Sequence, residues 1–499
     1  MSAPLESLGQ TEPRPTGPAP HFEVAVVGAG PAGLAAAASA AERGARVAVI
    51  DAAEQPGGQF WRHRSEAAGI RDDGSLHHGW KTYLDLRRRF DSGVDTSRIT
   101  YLPRTSVWMA QRRPQGFTLR LSSSFGTTTG PSTVHASALV LATGGYDRQL
   151  PVPGWELPGV MAAGGIQAFI KQNGALPGSR FVVAGTGPFL LPVAANIVEA
   201  GGSVAAVCES ADLSGWLPRA HRALAVPEKG LEGAEYAWTF VKHRIPYRTR
   251  TVVTEILGDS AVEAVRTARV RRDGTEVPGS ARTIDGVDSV GLGWGFTPQL
   301  ELPVALGART RVDVDGSLVA DVDAAQRSSV PGLYLAGELT GVGGAALAVV
   351  EGAVAGRAAA LATTTGTDGS GAIATAREAR TISRQRAFAE AMHLAHPLPP
   401  GWESRMRDET VVCRCEEVTA GAILGARDEM DAADSRTQKG VNRAGMGWCQ
   451  GRVCGVAVAC LSGSAPQAKS DDPMISLRQN ANRPIAQPIP LGDLRDLVD

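Results

Sequence analysis

The sequence predicts an α/β chain in which two βαβ nucleotide folds precede a small helical module that carries cysteines. Three observations predict it. A glycine fingerprint between strand-like runs occupies residues 22–51, a degraded copy recurs at 180–209, and five of the six cysteines fall after residue 410, four of them in two close pairs. At 499 residues the chain exceeds the size at which one core keeps growing, so several domains are expected.

The composition narrows the partners. With 50 basic against 51 acidic residues, no net field recruits nucleic acid or an anionic membrane. Residues 1–21 lack the basic segment, apolar run and cleavage site of a secretory signal, and their prolines suit a disordered leader. The richest apolar stretches are alanine-heavy and interrupted by Glu42, Arg43, Glu351 and Arg357, short of the ~20 apolar residues of a membrane span. No transmembrane segment and a cytoplasmic location are therefore expected. Clustered thiols in that compartment point to metal or redox chemistry.

Residues 22–51, "FEVAVVGAGPAGLAAAASAAERGARVAVID", read as strand, glycine turn, alanine-rich helix and second strand. In Gly28-Ala29-Gly30-Pro31-Ala32-Gly33, the first glycine permits the tight turn, Gly30 lets backbone approach a pyrophosphate, and Gly33 lets helix and strand pack closely. The helix N-terminus offers N–H groups and a positive dipole. Asp51, 23 positions after Gly28, is placed to accept from a ribose hydroxyl.

Residues 180–209 repeat the pattern with Gly185, Gly187 and Pro188, but Leu190 stands where the third glycine belongs and should crowd the helix against its strand. Glu209, 24 positions after Gly185, could still bind ribose hydroxyls, and an acid there disfavours a 2'-phosphate. Three readings stay open: an NADH hydride site, a static adenine-nucleotide site for NAD or ATP/ADP, and an empty structural fold. No CxxC or CxxxxC pair occurs in either nucleotide unit, which argues against thiol–disulfide exchange, and Cys208 reads as a small apolar core residue.

Three further segments carry a resemblance: "EQPGGQFWR" (54–62), "ALVLATGGYDR" (138–148) and "GLYLAGELTGVGGAALAVVEGAVAG" (332–356). Together with the first fingerprint they resemble the flavoprotein superfamily with two dinucleotide-binding domains, of the glutathione-reductase type. The resemblance implies FAD. It places Gly57, Gly58, Gln59 and Arg62 near the pyrophosphate and ribose, and Val107 and Ala142 at the same nucleotide. It also puts Thr143 and Gly144 where the chain leaves the FAD domain, and Gly337 with Glu338 at the ribityl end, Glu338 standing where the superfamily most often has Asp. Gly343, Gly344 and Ala345 open an alanine-rich helix whose N-terminus could face the flavin pyrimidine ring and stabilise its reduced anion, or could merely allow close helix packing.

The late cysteines form Cys413-x-Cys415 and, after 33 residues, Cys449 and Cys454 in CxxxxC spacing. Four-cysteine zinc sites usually use CxxC knuckles, whereas CxC with a distant pair suits a two-iron cluster with two sulfurs per iron; zinc, or no metal, are the alternatives. Arg414, Lys439, Arg443 and Arg452 are expected to gather around the cluster charge, and glycines at 445, 447, 451 and 455 to let N–H groups approach it. "RAGMGWCQGRVC" after the CxC pair resembles the bacterioferritin-associated-ferredoxin type of 2Fe-2S domain. Over residues 22–490 the order of parts resembles the larger flavoprotein subunit of heteromeric amino-acid dehydrogenases, such as opine oxidase, D-hydroxyproline dehydrogenase, dye-linked proline dehydrogenase and hydrogen cyanide synthase.

That resemblance implies an FAD- and 2Fe-2S-containing electron-transfer subunit. Its implied partners are a D-amino-acid-oxidase-like flavoprotein subunit, which oxidises the amine or amino acid, and a small 2Fe-2S subunit. The alternative is a free-standing NADH-dependent reductase that passes electrons to a carrier. No catalytic acid–base group stands out, because His63, His77 and His78 read as solvated. The expected parts are a leader (1–21), an FAD domain in two pieces (22–150 and 290–362) and an inserted Rossmann unit (151–289). A linker with a charged surface helix (363–409), the cluster domain (410–465) and a tail (466–499) complete the chain.

Overall fold

The computed structural model describes residues 18–69, 74–123, 130–365, 373–463 and 473–495. Most of the expected leader, the middle of the low-complexity run after 363 and parts of the C-terminal tail lie outside these residues. Two sheets organise the rest. In the first, Ile99–Leu102, Val47–Ile50, His21–Val27 and Thr133–Leu141 run parallel. The last of these strands forks. Its first half pairs antiparallel with Gly116–Ser123, which pairs with Thr105–Arg113, and its second half takes Leu333–Leu335 in parallel. The apolar runs at 24–27 and 47–50 are buried throughout, as a parallel sheet covered on both faces requires.

Helix Pro31–Ala41 packs along helix Ala345–Thr365, and small residues set how close they come. A Cβ on Gly352 would fall 2.0 Å from the Ala32 carbonyl oxygen, and one on Gly356 2.1 Å from that of Ala36. Among the described residues, only Ala345–Thr365 holds a stretch long and apolar enough to cross a membrane, and its apolar side chains join the core around the first sheet.

The second sheet is wholly parallel, in the order Tyr247–Thr249, Ser203–Glu209, Arg180–Gly185, Ser289–Gly293 and Val160–Ala162. The inserted unit therefore runs past its expected end at 289, because Ser289–Gly293 is an interior strand of this sheet. The chain crosses back at Phe296–Pro298, antiparallel to the outgoing Gly145–Asp147. The crowding expected from Leu190 is relieved on the neighbouring strand. Leu190 is buried, and the missing Cβ of Gly293, which would stand 3.0 Å from the Leu190 Cδ2, helps make room for it.

The charged helix expected on the surface is Ala376–Ala395, opened by a capping box of Thr375 and Glu378. It is not confined to the surface: Gln385, Ala389, Ala391 and Ala395 are buried. Beyond it, Val411–Cys413 and Val418–Thr419 pair as a short hairpin, followed by helices Ala420–Met430, Ser435–Asn442, Gly455–Gly463 and Pro473–Ala481. This module shares one apolar core with the inserted unit, in which Val412, Ile423 and Leu461 meet Leu150, Trp155 and Val253.

Gly352→Val is expected to force the two core helices apart and to lower stability by about 1–3 kcal/mol. Urea denaturation followed by circular dichroism reads this directly; an unchanged midpoint would contradict the packing described.

Candidate functional site

The first glycine fingerprint is sterically obligatory. A Cβ on Gly28, which has φ +100°, would lie 2.4 Å from the Ala142 carbonyl oxygen, and one on Gly33 1.7 Å from that of Gly28. Gly58, at φ +61°, meets Gly30 so closely that a Cβ would stand 2.6 Å from the Gly30 Cα. Two glycine loops thus leave a seam of bare backbone at the start of the helix opened by Pro31 and Ala32, the setting that a pyrophosphate requires. Asp51 braces the loop: Oδ2 accepts the Ala29 N–H and Oδ1 accepts the Ala53 N–H at 2.6 Å. Burial pushes its carboxyl up while those donors oppose the shift, and the residue stays partly exposed.

The segment after Gly57 is tied to the inserted unit. Arg62 Nε donates to Gln59 Oε1 at 3.0 Å and its Nη1 to Gln172, while buried Lys171 donates to the Phe60 carbonyl at 3.2 Å. His63, expected to be solvated, is buried. Its Nδ1 lies 2.7 Å from the Trp61 carbonyl oxygen and its Nε2 3.0 Å from Glu66 Oε1. That His63 contact, joined by Arg87 and opposed by burial, holds the Glu66 carboxyl down at about 2. His77 also turns inward, with Nε2 2.6 Å from the Arg62 carbonyl oxygen. Aromatic packing by Trp80 and Tyr83 draws His63 inside, a signal that local polarity conceals.

Thr143 and Gly144 mark the outgoing chain, and both bond to the returning one: Thr143 Oγ1 donates to the Gln299 carbonyl at 3.1 Å, and the Gln299 N–H donates to that of Gly144 at 2.9 Å. Val107 lies in the core with Val27 and Ile50. Gly337, at φ +76°, donates its N–H to Glu351 Oε2 at 3.1 Å. Glu338 Oε1 accepts the Gly344 N–H at 3.1 Å, while its Oε2 is buried without a hydrogen-bond partner. Burial raises the Glu338 carboxyl to about 7, against the pull of the Gly344 N–H. Gly344 is exposed and Ala345 partly so, leaving the start of the long helix open.

Sequence reasoning missed the group that holds this loop. Arg386, on helix Ala376–Ala395, donates from Nε and Nη2 to Glu351 Oε1 at 3.0 and 2.6 Å, and from Nη1 to the Gly341 carbonyl at 2.6 Å. Glu351 Oε2 also takes the Thr340 hydroxyl at 3.1 Å, and His393 Nε2 lies 2.9 Å from the Val342 carbonyl oxygen. In the sequence, Glu351 only interrupts an apolar run, and nothing local names its partner 35 residues later.

In the second fingerprint Gly185 is again obligatory, since a Cβ would fall 1.7 Å from the Gly293 carbonyl oxygen. Pro188 precedes the helix, which begins only at Leu190. Glu209, expected to await a ribose, is wholly buried and accepts from the chain itself: Oε1 from the Thr186 hydroxyl at 3.0 Å and the Ala211 N–H at 2.9 Å, Oε2 from the Gly187 N–H at 2.8 Å.

The four late cysteines converge. Thiol contacts run as a chain from Cys415 to Cys449, Cys454 and Cys413, and the Gly445 N–H donates to Cys413 Sγ at 3.5 Å. Hydrogen bonds from Cys454 lower the Cys413 thiol to about 6 and the Cys449 thiol to about 5, in each case against burial. Among the described residues, no three His, Cys, Asp or Glu groups are gathered tightly enough for a single metal ion. Cys413 and Cys454 are buried and Cys415 is exposed, so one edge of the quartet faces outward beside Trp448, which is 82 % exposed. A Cβ on Gly447 would fall 2.2 Å from that of Cys415.

The cations expected around the sulfurs are distributed differently. Arg414 lies over the Trp155 ring at 5.2 Å, and Arg443 donates to Glu416 at 2.7 Å. Arg452, from within the Cys449–Cys454 loop, turns toward the crossing strands. Its Nε donates to Tyr146 Oη at 2.6 Å and stands 2.9 Å from Glu301 Oε1, which also accepts the Tyr146 hydroxyl at 3.2 Å. These residues line a cavity of about 60 Å³ between the crossing strands and the cysteine module. Arg483, in the tail, donates to Gln450 Oε1 at 2.9 Å and its charge acts on Cys449 and Cys454, a role that no spacing rule announced.

Residues 22–364 match the family model described as pyridine nucleotide-disulphide oxidoreductase. The chain is 32 % identical over 489 residues to an opine oxidase subunit of Rhizobium meliloti strain 1021, covering 96 % of this chain and 99 % of that protein. It is 32 % identical over 438 residues to the HcnB subunit of hydrogen cyanide synthase from Pseudomonas aeruginosa, covering 86 % of this chain and 90 % of that one. The crystal structure of L-proline dehydrogenase from P. horikoshii superposes with a TM-score of 0.65 at 18 % identity, covering 95 % of this chain and 79 % of that chain, a likeness of fold.

Arg386→Ala is expected to leave Glu351 buried and unpaired and to lower stability by about 3–5 kcal/mol at neutral pH in urea denaturation, with Arg386→Lys intermediate. Because the Glu66 carboxyl is depressed from 4.5 to about 2, its contribution is complete above pH 4.5 and is lost as pH falls toward 2. Glu66→Gln should therefore destabilise the chain at about pH 6 and converge with the unaltered protein in acid; a constant difference across that range would refute the linkage.

Proposed function

The chain belongs to the pyridine nucleotide-disulphide oxidoreductase family, and from that premise we propose that it is the FAD- and 2Fe-2S-bearing electron-transfer subunit of a multisubunit amino-acid or amine dehydrogenase. A partner flavoprotein subunit would remove electrons from the substrate and pass them here. The observation that carries this reading is the Arg452 link. It ties the loop between Cys449 and Cys454 to Tyr146, two residues beyond Gly144, where the chain leaves the first nucleotide unit.

Bound FAD would supply two-electron exchange and a 2Fe-2S cluster one-electron exchange, a pairing that turns hydride-level oxidation into single-electron steps. Gly28, Gly30, Gly33 and Gly58 would seat the FAD pyrophosphate, Asp51 with Gln59 and Arg62 its adenosine side, and Gly337 with Glu338 the ribityl end. The open helix start at Gly344 and Ala345 would favour negative charge on the adjacent ring. Cys413, Cys415, Cys449 and Cys454 would hold the cluster, two sulfurs to each iron. Their chain of pairwise contacts fits a centre that divides its ligands between two metals.

Two observations favour a subunit over a free-standing reductase. The relatives are themselves named as subunits, one of an opine oxidase and one of a hydrogen cyanide synthase. A helical stretch inserted into the second unit also exposes Leu217, Leu224, Leu231, Trp238 and Val241, all at least 68 % open to solvent. On helix Pro227–Lys242 the apolar positions 231, 234, 238 and 241 fall on one stripe while Phe240 is buried, a pattern that marks surfaces meeting another protein.

Protein prepared anaerobically is expected to carry about two iron and two acid-labile sulfide per chain, lost in Cys413→Ser and Cys449→Ser. Preparations that hold flavin but neither element would end this reading. Leu231→Glu with Trp238→Glu should leave flavin and iron in place and abolish co-purification of the partner from the native host.

A further inference from the structure

The second nucleotide unit carries a fingerprint for which the electron-transfer reading has no use, and its crest is already filled. Beyond helix Ala376–Ala395 the chain passes over Gly187, where a Cβ would stand 4.0 Å from the Cβ of His396. Trp216 Nε1 donates to His396 Nε2 at 3.0 Å, which leaves the imidazole proton on Nδ1, and Nδ1 faces Glu209 Oε2 at 3.4 Å. The His396 side chain is 6 % exposed. The next residue contributes as well, because the Thr186 hydroxyl donates to the Pro397 carbonyl at 3.3 Å. Gly215 permits this approach, since its Cβ would fall 2.7 Å from the Ala395 carbonyl oxygen.

We propose that this segment stoppers the second unit in cis: His396 takes the place of a nucleotide ribose on Glu209, so the unit binds no free nicotinamide or adenine nucleotide. A carboxylate offers about four lone-pair sites. Those of Glu209 meet the Thr186 hydroxyl and the Ala211 and Gly187 N–H groups, His396 Nδ1 lies buried against Oε2 at 3.4 Å without a formed hydrogen bond, and Tyr247 acts on the same carboxylate from the edge strand. Asp51, its counterpart in the first unit, has two N–H partners and stays partly exposed, so one carboxylate is open where the other is wholly buried. The phosphate seat is altered too. The first helix begins at Pro31, next to Gly30, whereas the second begins at Leu190, with Leu190 N–H turned back to the Gly187 carbonyl at 3.2 Å and Leu191 N–H to that of Pro188 at 3.1 Å. Donors that a phosphate would take are therefore bonded within the turn.

The test is calorimetric titration of the intact, flavin-loaded chain with NADH, NADPH, ADP and ATP, alongside anaerobic addition of NADH to the oxidised protein. No saturable binding is expected up to ~1 mM, and no bleaching of the flavin. In folded His396→Gly and Trp216→Ala variants, ADP should bind at least about tenfold tighter than to the unaltered chain, and Glu209→Gln in the same background should remove the gain. Saturable binding by the unaltered chain that Glu209→Gln abolishes would overturn the proposal, as would folded variants that bind no better. The unaltered chain decides the matter even if both variants fail to fold. A nucleotide that binds without bleaching the flavin overturns the stopper alone, whereas rapid bleaching by NADH overturns the subunit reading as well.

Discussion

The arrangement of the two nucleotide units depends on one buried carboxylate. Glu351 sits inside an apolar helix packed against the first fingerprint helix, where an unpaired charge would cost several kcal/mol. Arg386 meets that cost, and reaching it requires helix Ala376–Ala395 to lie across the Gly337–Gly344 loop. Once the helix is there, its far end falls beside the second fingerprint. The same strut thus fixes the loop expected at the flavin and delivers His396 to Glu209. A pair that satisfies a local charge also sets the relation between two sites.

Much of this was legible in the sequence wherever chemistry and spacing coincide. The first βαβ unit, its echo and the pairing of the late cysteines stand where glycine spacing, apolar alternation and cysteine spacing put them. What escaped is long-range. Leu190 reads as a steric defect until Gly293, more than a hundred residues away, is seen to supply the space. The inserted unit's expected end at 289 falls inside strand Ser289–Gly293, because a short apolar run cannot say which sheet it joins. His63 looked solvated among polar neighbours, yet aromatic rings 17 and 20 positions later enclose it.

The family description joins a pyridine nucleotide to a disulphide, and neither nucleotide unit carries a CxxC or CxxxxC pair for the second of these. Cys208 lies within the second sheet, where burial pushes its thiol up to about 12, a core residue rather than a redox thiol. The clustered cysteines sit instead in an appended module whose apolar core merges with the inserted unit. Merging means that the cysteine loop is positioned by packing rather than by a tether, with Arg414 on Trp155 and the Trp155 indole donating to the Val411 carbonyl.

That fixed position gives the cysteine quartet an inner and an outer side. Cys413 and Cys454 are buried on the side of the protein core, and Arg452 binds the Cys449–Cys454 loop to Tyr146 and Glu301 on the crossing strands, whereas Cys415 and Trp448 face solvent. A redox centre held between these edges would have an inner face toward the first nucleotide unit and an outer face toward a partner. Glu301 sharpens the polarity. Its Oε1 is shared between Arg452 and Tyr146 while its Oε2 is buried without a partner, so a carboxylate stands on the inner side, where a 2Fe-2S centre would itself be anionic. Charge of one sign on the inner face raises the cost of adding an electron there, and Arg452 and Arg483 offset it. The balance between that carboxylate and those two guanidinium groups, more than the sulfurs themselves, is where this fold can set the potential of the group it would hold.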